Sequence, residues 1–347
     1  MIKKRKIGKT SIEVSELSMG TAPIGGWPIA VNSYDAKKTL NEAWNKGIRF
    51  FDTAPLYGSG MAEQRLGDFL KDKSRNDFVV ATKVGRIVVN TTVVNDKFKG
   101  QDPHKDTIFD FSYDGAMRSF EQSLKRLQLD NVDILHLHDP DNYSEHFDQA
   151  KKGAVRAMIK LKQEGVIKAI GCGLNQNEML VDLAKEGCFD CFLLAGRYTL
   201  LDQTSLDKLI PLCIENNISL LLGGVFNSGI LINPSPNTYF DYTLLDKDWS
   251  INAQKNLVRF PKSYESADYW LKKAYKLKNV CNKFNYSLKK ASIQFPYANK
   301  VVASAILGMA SADEVKENFK DYEEKIPFKF WKQIKDEGLI DSRAPIN

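Results

Sequence analysis

Long apolar runs are missing from this chain of 347 residues. None approaches the ~18 residues that cross a bilayer, so no membrane span is expected. The longest candidate, Ile218 to Val225, has the length of one buried strand. The opening segment MIKKRKIGKTSIEV is basic but has no apolar core, so it does not read as a secretory leader. Cysteine is scarce and odd in number: Cys172, Cys188, Cys191, Cys213 and Cys281. Cys188 and Cys191 form a CxxC, but inside the apolar, strand-like GCFDCFLL and not at the start of a helix. Buried thiols are therefore expected there, not a redox or metal pair. Thiols in odd number without a leader suit the reducing cytoplasm. Charge of one sign does not dominate: the net charge is +6 and the lysines are scattered. A nucleic-acid surface would need clustered Lys and Arg with aromatic partners, so small-molecule chemistry is the expectation. Histidine is the rarest of the chemistry-bearing residues, with four in all.

What is present is ordinary globular material, 43% hydrophobic and 27% charged. No low-complexity linker and no sequence repeat divides it, so one domain over residues 1–347 is expected. A repeat of type does occur. Short apolar runs alternate with longer helical patterns, as in parallel βα units. The runs are Glu16–Thr21, Ile48–Thr53, Phe78–Lys83, Val132–His138, Ile167–Gly173, Phe189–Ala195, Ile218–Gly223 and Val301–Leu307. Helices are predicted over Tyr34–Asn45, Gly60–Lys71, Ser112–Leu127, Phe147–Glu164, Asn177–Glu186, Thr204–Glu215 and Tyr264–Asn285, with another opening at Ser311 and one more in PFKFWKQIKDEGLI. Met117, Phe120, Leu124 and Leu127 make one helical stripe, and Ala154, Ala157, Met158 and Leu161 another. Continuously apolar strands are buried on both faces, and eight such units argue for a closed (β/α)8 barrel over an open sheet. Lys4–Val14, with Gly8-Lys9-Thr10 at its centre, reads as a hairpin ahead of the first barrel strand.

In such barrels the active site lies at the C-terminal ends of the strands. The second run ends at Asp52 with Tyr57 just beyond, the third at Lys83, the fourth at His138, and Asn175 follows the fifth. Three neighbouring strands thus bring four titratable groups to one place. Carbonyl reduction needs a hydride and a proton, and a tyrosine hydroxyl of pKa ~10 is a poor acid or base at neutral pH. A buried Lys83 ammonium would stabilise the phenolate and lower that value, with Asp52 keeping the lysine charged. His138 would hydrogen-bond and orient the substrate oxygen. His136 lies one layer deeper and reads as structural; His104 and His146 fall in loops without an assigned role. Only Asp52 and His138 offer strand-end metal ligands, too few for a metal site.

These segments resemble the aldo-keto reductase superfamily nearly end to end. GKTSIEVSELSMGTAPIGG resembles its hairpin and first strand, FFDTAPLYGSGMAEQRLG its Asp-and-Tyr motif, ATKVG its Lys, VDILHLHDPD its His and GVIKAIGCGLNQ the approach to its Asn. AGRYTLLDQ, GGVFNSGIL and FWKQIKDEGLI are similar to the branch of aldose 1-dehydrogenases, L-galactose dehydrogenases and pyridoxal 4-dehydrogenases. The resemblance implies a nicotinamide cofactor and oxidation of a sugar hemiacetal to a lactone; general NADPH-linked aldehyde or ketone reduction, pyridoxal oxidation and a cofactor-binding regulatory subunit are the alternatives. It implies Tyr57 as acid/base, Asp52 and Lys83 as its tuning pair and His138 beside the substrate. For the cofactor it implies Gly20, Thr21, Asp52 and Asn175 at the nicotinamide end. It implies Asn227, Ser228, Gly229 and Leu231 near the pyrophosphate, and Gly308, Ser311, Glu314 and Asn318 at the adenosine. Ser311 and Glu314 also read as a capping box. The chain departs from the family at Ala195, where many members carry Gln, and at Met309-Ala310, where NADP-using members carry Arg. The second departure, with Glu314 nearby, points to NAD ahead of NADP. Phe226 is the candidate to stack on the nicotinamide. The long stretches 84–111 and 226–262 would wall the substrate pocket, with Trp27, and secondarily Trp249 and His104, as contributors. A monomer or weak homo-oligomer is expected.

Overall fold

The computed structural model describes residues 2–141, 144–235 and 267–346. Trp249 and the first residues of the predicted helix from Tyr264 lie outside them. Strands β1 (Lys4–Lys6) and β2 (Glu13–Ser15) pair antiparallel as the expected hairpin. Barrel strands β3 (Leu17–Gly20), β4 (Phe50–Asp52) and β5 (Val79–Val84) follow. Next come β6 (Arg86–Asn90) and β7 (Lys105–Phe109), an antiparallel pair outside the barrel. The remaining barrel strands are β8 (Ile134–His138), β9 (Ala169–Leu174), β10 (Cys191–Ala195), β11 (Ser219–Gly223) and β12 (Val302–Gly308). Their closed order is β3-β4-β5-β8-β9-β10-β11-β12, and each pairing between them is parallel. This is the (β/α)8 barrel read from the sequence.

Two apolar clusters hold it. Inside the barrel, alternate residues such as Phe50, Ala81, Ile134, Cys191, Leu193 and Leu221 meet Ile7, Ile12 and Val14 of the hairpin, which plugs the N-terminal end. Outside, the opposite strand faces meet the helices. Helices α1 (Ser33–Asn45), α2 (Met61–Leu70) and α3 (Tyr113–Leu127) agree with the predicted ones to within a residue or two. Ser112 caps α3 by accepting the Gly115 N–H at 3.0 Å.

The predicted helix Phe147–Glu164 is instead α4 (Ser144–Lys152) and α5 (Ala154–Gln163). The Ala154 N–H bonds to the Phe111 carbonyl at 2.9 Å and leaves the helical ladder there. Helix α4 also starts before the predicted Phe147, so His146 lies on it and not in a loop. After α6 (Glu178–Ala184), the predicted helix Thr204–Glu215 becomes a turn of 3-10 helix and α7 (Leu209–Asn216). Helix α8 (Ala267–Lys283) is followed by α9 (Leu288–Gln294), which the sequence did not announce. The last two are α10 (Ala312–Glu323) and α11 (Phe328–Asp336). None of the described helices is long and apolar enough to cross a membrane. All five cysteines are free thiols, and Cys191 is buried within β10.

Candidate active site

The strand order β4-β5-β8 sets Asp52, Lys83 and His138 side by side at the barrel mouth. Lys83 Nζ donates to Asp52 Oδ2 and to the Thr53 carbonyl, both at 2.7 Å. Both side chains are buried, at 1% and 3% exposure for Lys83 and Asp52. An ammonium so deep keeps its proton only with a close counter-charge. Burial opposes the charge on Lys83, but Asp52 and then Tyr57 outweigh it and hold its pKa above the ordinary lysine value. Burial likewise pushes the Asp52 carboxyl above its ordinary value, against the pull of Lys83.

Tyr57 sits in the turn between β4 and α2. Its N–H donates to the Ala54 carbonyl and its own carbonyl accepts from the Ala62 N–H, each at 3.1 Å. Its ring is partly buried, its hydroxyl feels the charge of Lys83, and the Lys83 Nζ lies 4.9 Å from the ring centroid. His138 meets the same ring edge-on, centroids 5.9 Å apart at 86°. Burial pushes the Tyr57 hydroxyl above its ordinary pKa. Lys83 pulls it down, while Asp52 and Asp139 add to the rise. The expectation that Lys83 would leave the hydroxyl with a lowered value is thus corrected: the pull exists, but desolvation and two carboxylates exceed it.

Asp139 belongs to the site although the sequence reading passed over it. It has φ +49°, and its Oδ2 lies 3.8 Å from His138 Nε2 and 3.4 Å from the Arg86 guanidinium. Phe98 was missed as well. Its centroid is 6.4 Å from that of Tyr57 and 5.9 Å from that of Trp27, making an aromatic wall beside the Tyr57 ring. Trp27 is 45% exposed, the most open member of that wall. A lone aromatic in the polar NDKFKGQD was the available signal. His104 is exposed on the hairpin formed by β6 and β7.

The groups expected around a dinucleotide come from the ends of β3, β4, β9, β11 and β12 and from the start of α10. Gly20 and Gly308 end adjacent strands in register, with Pro23 packed over Gly308 and Ile306 beside Gly20. Thr21 is fully buried, and its hydroxyl and Asp52 Oδ1 have no hydrogen-bond partner. Buried polar atoms are nearly always satisfied, so these two fit a polar ligand group. Asn175 follows β9, half-buried. Ser311 Oγ accepts the Glu314 N–H at 3.2 Å and Glu314 Oε2 accepts the Ala310 N–H at 2.7 Å. The Ser311 half is that of a capping box, while the Glu314 carboxylate reaches one residue further, to Ala310; the other N–H groups of the first turn of α10 are left for an anion. Asn318 is buried with Oδ1 unpartnered. The turn after β11 has positive φ at Asn227 (+46°), Ser228 (+55°) and Gly229 (+103°), a strained run of the kind found at binding sites. The Asn227 side chain is engaged there: it accepts the Thr199 hydroxyl at 2.7 Å and donates to the Gly196 carbonyl at 3.1 Å. The Leu231 side chain is in the core. Phe226 packs against that core, half-buried. The donor set therefore suits a nicotinamide dinucleotide: unsatisfied buried polar atoms at Thr21 and Asp52, and a helix N-terminus further along.

Comparison with known proteins agrees with this geometry. The Aldo/keto reductase family model matches residues 16–337. A pyridoxal 4-dehydrogenase of Microbacterium luteolum is 35% identical, over 97% of this chain and 98% of that protein. A D-threo-aldose 1-dehydrogenase of Pseudomonas sp is 32% identical over 95% of each. An L-galactose dehydrogenase of Arabidopsis thaliana is 32% identical over 91% of this chain and 87% of its own length. Among solved structures, an aldo-keto reductase from Bacillus halodurans has the same fold, with a TM-score of 0.73 at 24% identity over 99% of this chain and 98% of that one. With its barrel closed and its site residues at three adjacent strand ends, the chain belongs to the aldo/keto reductase family, the NAD(P)-dependent oxidoreductases.

Proposed function

We propose that this oxidoreductase acts on the hydroxyl or carbonyl carbon of a sugar hemiacetal, most naturally as an aldose 1-dehydrogenase releasing a lactone, with Tyr57 as its acid/base. The observation that carries the reading is the chain of contacts from Asp52 through Lys83 to Tyr57, with His138 against the same ring. The bound nicotinamide supplies the hydride acceptor for oxidation, or the donor for reduction. In oxidation, Tyr57 takes the substrate hydroxyl proton as the C–H bond is lost. In reduction it returns that proton to the oxygen. Lys83 stabilises the phenolate form, Asp52 keeps Lys83 charged, and His138 holds the substrate oxygen in line. Gly20, Thr21, Asp52 and Asn175 would hold the nicotinamide end. Ser228 and Gly229 would face the pyrophosphate, and Gly308, Ser311, Glu314 and Asn318 the adenosine. Five free thiols support a cytoplasmic setting.

A second reading, oxidation of a pyridoxal-like aromatic hemiacetal, is favoured by the Trp27–Phe98 wall beside Tyr57 and by the relative named a pyridoxal 4-dehydrogenase. The test is a panel of aldoses, pyridoxal and simple aldehydes with NAD and NADP, read at the nicotinamide absorbance. Lactone formation from an aldose with NAD supports the first reading. Turnover confined to NADPH-linked aldehyde reduction would overturn both.

Glu314 supports NAD ahead of NADP. Its carboxylate sits exposed in the first turn of α10, and Met309-Ala310 offers no guanidinium to a 2′-phosphate. Like charges about 4 Å apart in water cost about 1 kcal/mol, which is roughly a factor of five to ten in affinity. NADH should therefore bind about that much more tightly than NADPH in a fluorescence titration. Glu314→Gln should narrow the gap; equal affinities in the wild type would refute the assignment.

A further inference from the structure

A buried carboxylate behind the site ties together the two parts of the chain that carry Tyr57 and Lys83. Glu63 lies in the first turn of α2 and is fully buried. Its Oε1 accepts the Thr82 hydroxyl at 2.6 Å, and its Oε2 accepts Arg126 Nε at 2.7 Å. Thr82 immediately precedes Lys83 on β5, so the two side chains leave opposite faces of the sheet: Lys83 into the barrel, Thr82 out to Glu63. Arg126, from α3, also donates to Ser123 Oγ at 3.2 Å and lies across Gly60 at the start of α2. A Cβ on Gly60, which has φ +94°, would stand 2.6 Å from Arg126 Cδ. The turn that begins α2 is the one that holds Tyr57, through the bond from the Ala62 N–H to the Tyr57 carbonyl.

A buried ion pair is seldom worth more to stability than apolar packing of the same volume. What this one supplies is direction, because both oxygens of Glu63 are used and each fixes a different element. We propose that Glu63 is a positioning residue: its carboxylate locks the Tyr57 turn against the strand of Lys83 and so sets where Tyr57 stands relative to the Lys83 ammonium. The proposal rests on the reading of Tyr57 as the acid/base.

The groups that face the Tyr57 hydroxyl are Lys83 from β5, Asp52 from β4, and His138 and Asp139 at the end of β8, with Arg86 of β6 paired to Asp139. Glu63 is on the other side of the sheet and acts through position. This gives the test a sign. Removing a negative charge would, by its field alone, ease phenolate formation and move the pH dependence of oxidation down. Loosening the Lys83 contact withdraws the stabilising ammonium and moves it up.

The experiment compares the whole enzyme with Glu63→Gln, Thr82→Val and Tyr57→Phe. As a control, Asp133→Asn cuts a buried carboxylate bonded to Arg75 and Lys168 at the other end of β8. Each is measured for kcat, KM, NADH binding, Tm and the pH midpoint of oxidation. Glu63→Gln and Thr82→Val should lower kcat roughly tenfold, as small misplacements of reacting groups do, leave KM and NADH binding within about twofold, and move the midpoint up. Asp133→Asn should lower Tm and leave the midpoint in place. A midpoint that stays or moves down in both Glu63→Gln and Thr82→Val overturns the proposal. If Glu63→Gln does not fold, Thr82→Val decides alone, since it keeps the Glu63–Arg126 pair. Normal turnover in Tyr57→Phe would instead overturn the acid/base reading itself.

Discussion

Tyr57→Phe is expected to lower kcat by roughly 10²- to 10⁴-fold, the range contributed by a positioned acid or base, while NADH binds as before. The change is local. A phenylalanine ring keeps the edge contact with His138 and the packing on Phe98, and it removes only the oxygen that meets Lys83. Stability should hardly move, because the lost group is one hydroxyl. The pH dependence follows from the raised pKa of that hydroxyl. At neutral pH it is protonated, ready to act as the acid of reduction, so oxidation should speed up as pH rises and reduction should slow. In the variant that opposed pair of slopes should vanish together with the rate. Rapid-mixing kinetics with an active aldose or aldehyde would measure both, and fluorescence titration the cofactor. A kcat within twofold of the wild type would remove Tyr57 from the chemistry.

How much of this was legible follows from where the information lies. The barrel strands were visible because a strand buried on both faces must be apolar throughout. Their N-terminal edges moved inward by a residue or two, as at Phe50 and Ile134, because apolar character runs past the paired register. The hairpin of β6 and β7 was hidden: its strands are half-exposed and joined by a polar stretch, so neither period stands out. The break between α4 and α5 is set by the Phe111 carbonyl, a partner from another element. Asp52, Lys83 and His138 could be found because strand ends alone bring them together. Glu63 could not, since its meaning lies in meeting Thr82 and Arg126 across three elements. The direction of the Tyr57 shift was misread for the same reason. It depends on depth and on Asp139, whose left-handed backbone brings its carboxylate to the site.

Lys83→Met should be the most damaging single change, and its two consequences can be separated. Methionine keeps much of the apolar stem but leaves Asp52 buried without its counter-charge. Breaking a buried pair from one side costs about 3–5 kcal/mol, more than the ~0–1 kcal/mol of the exposed pairs elsewhere on the surface. The variant can escape part of that cost by binding a proton at Asp52, whose pKa burial already raises. A carboxyl with a folded-state pKa above its unfolded value, ~3.9, keeps its stabilising contribution in acid and loses it as pH climbs through the folded-state value. The Tm difference between wild type and Lys83→Met should therefore be small in mild acid and widen toward pH 8. Adding Asp52→Asn removes the stranded charge, so the double variant should regain much of the lost Tm at neutral pH. It should not regain kcat, because the ammonium that steadies the Tyr57 phenolate is still missing. Calorimetry across pH and steady-state kinetics on the three proteins would resolve the two effects. If Lys83→Met kept both its Tm at pH 8 and its turnover, the buried pair would be a bystander to the fold and to the chemistry.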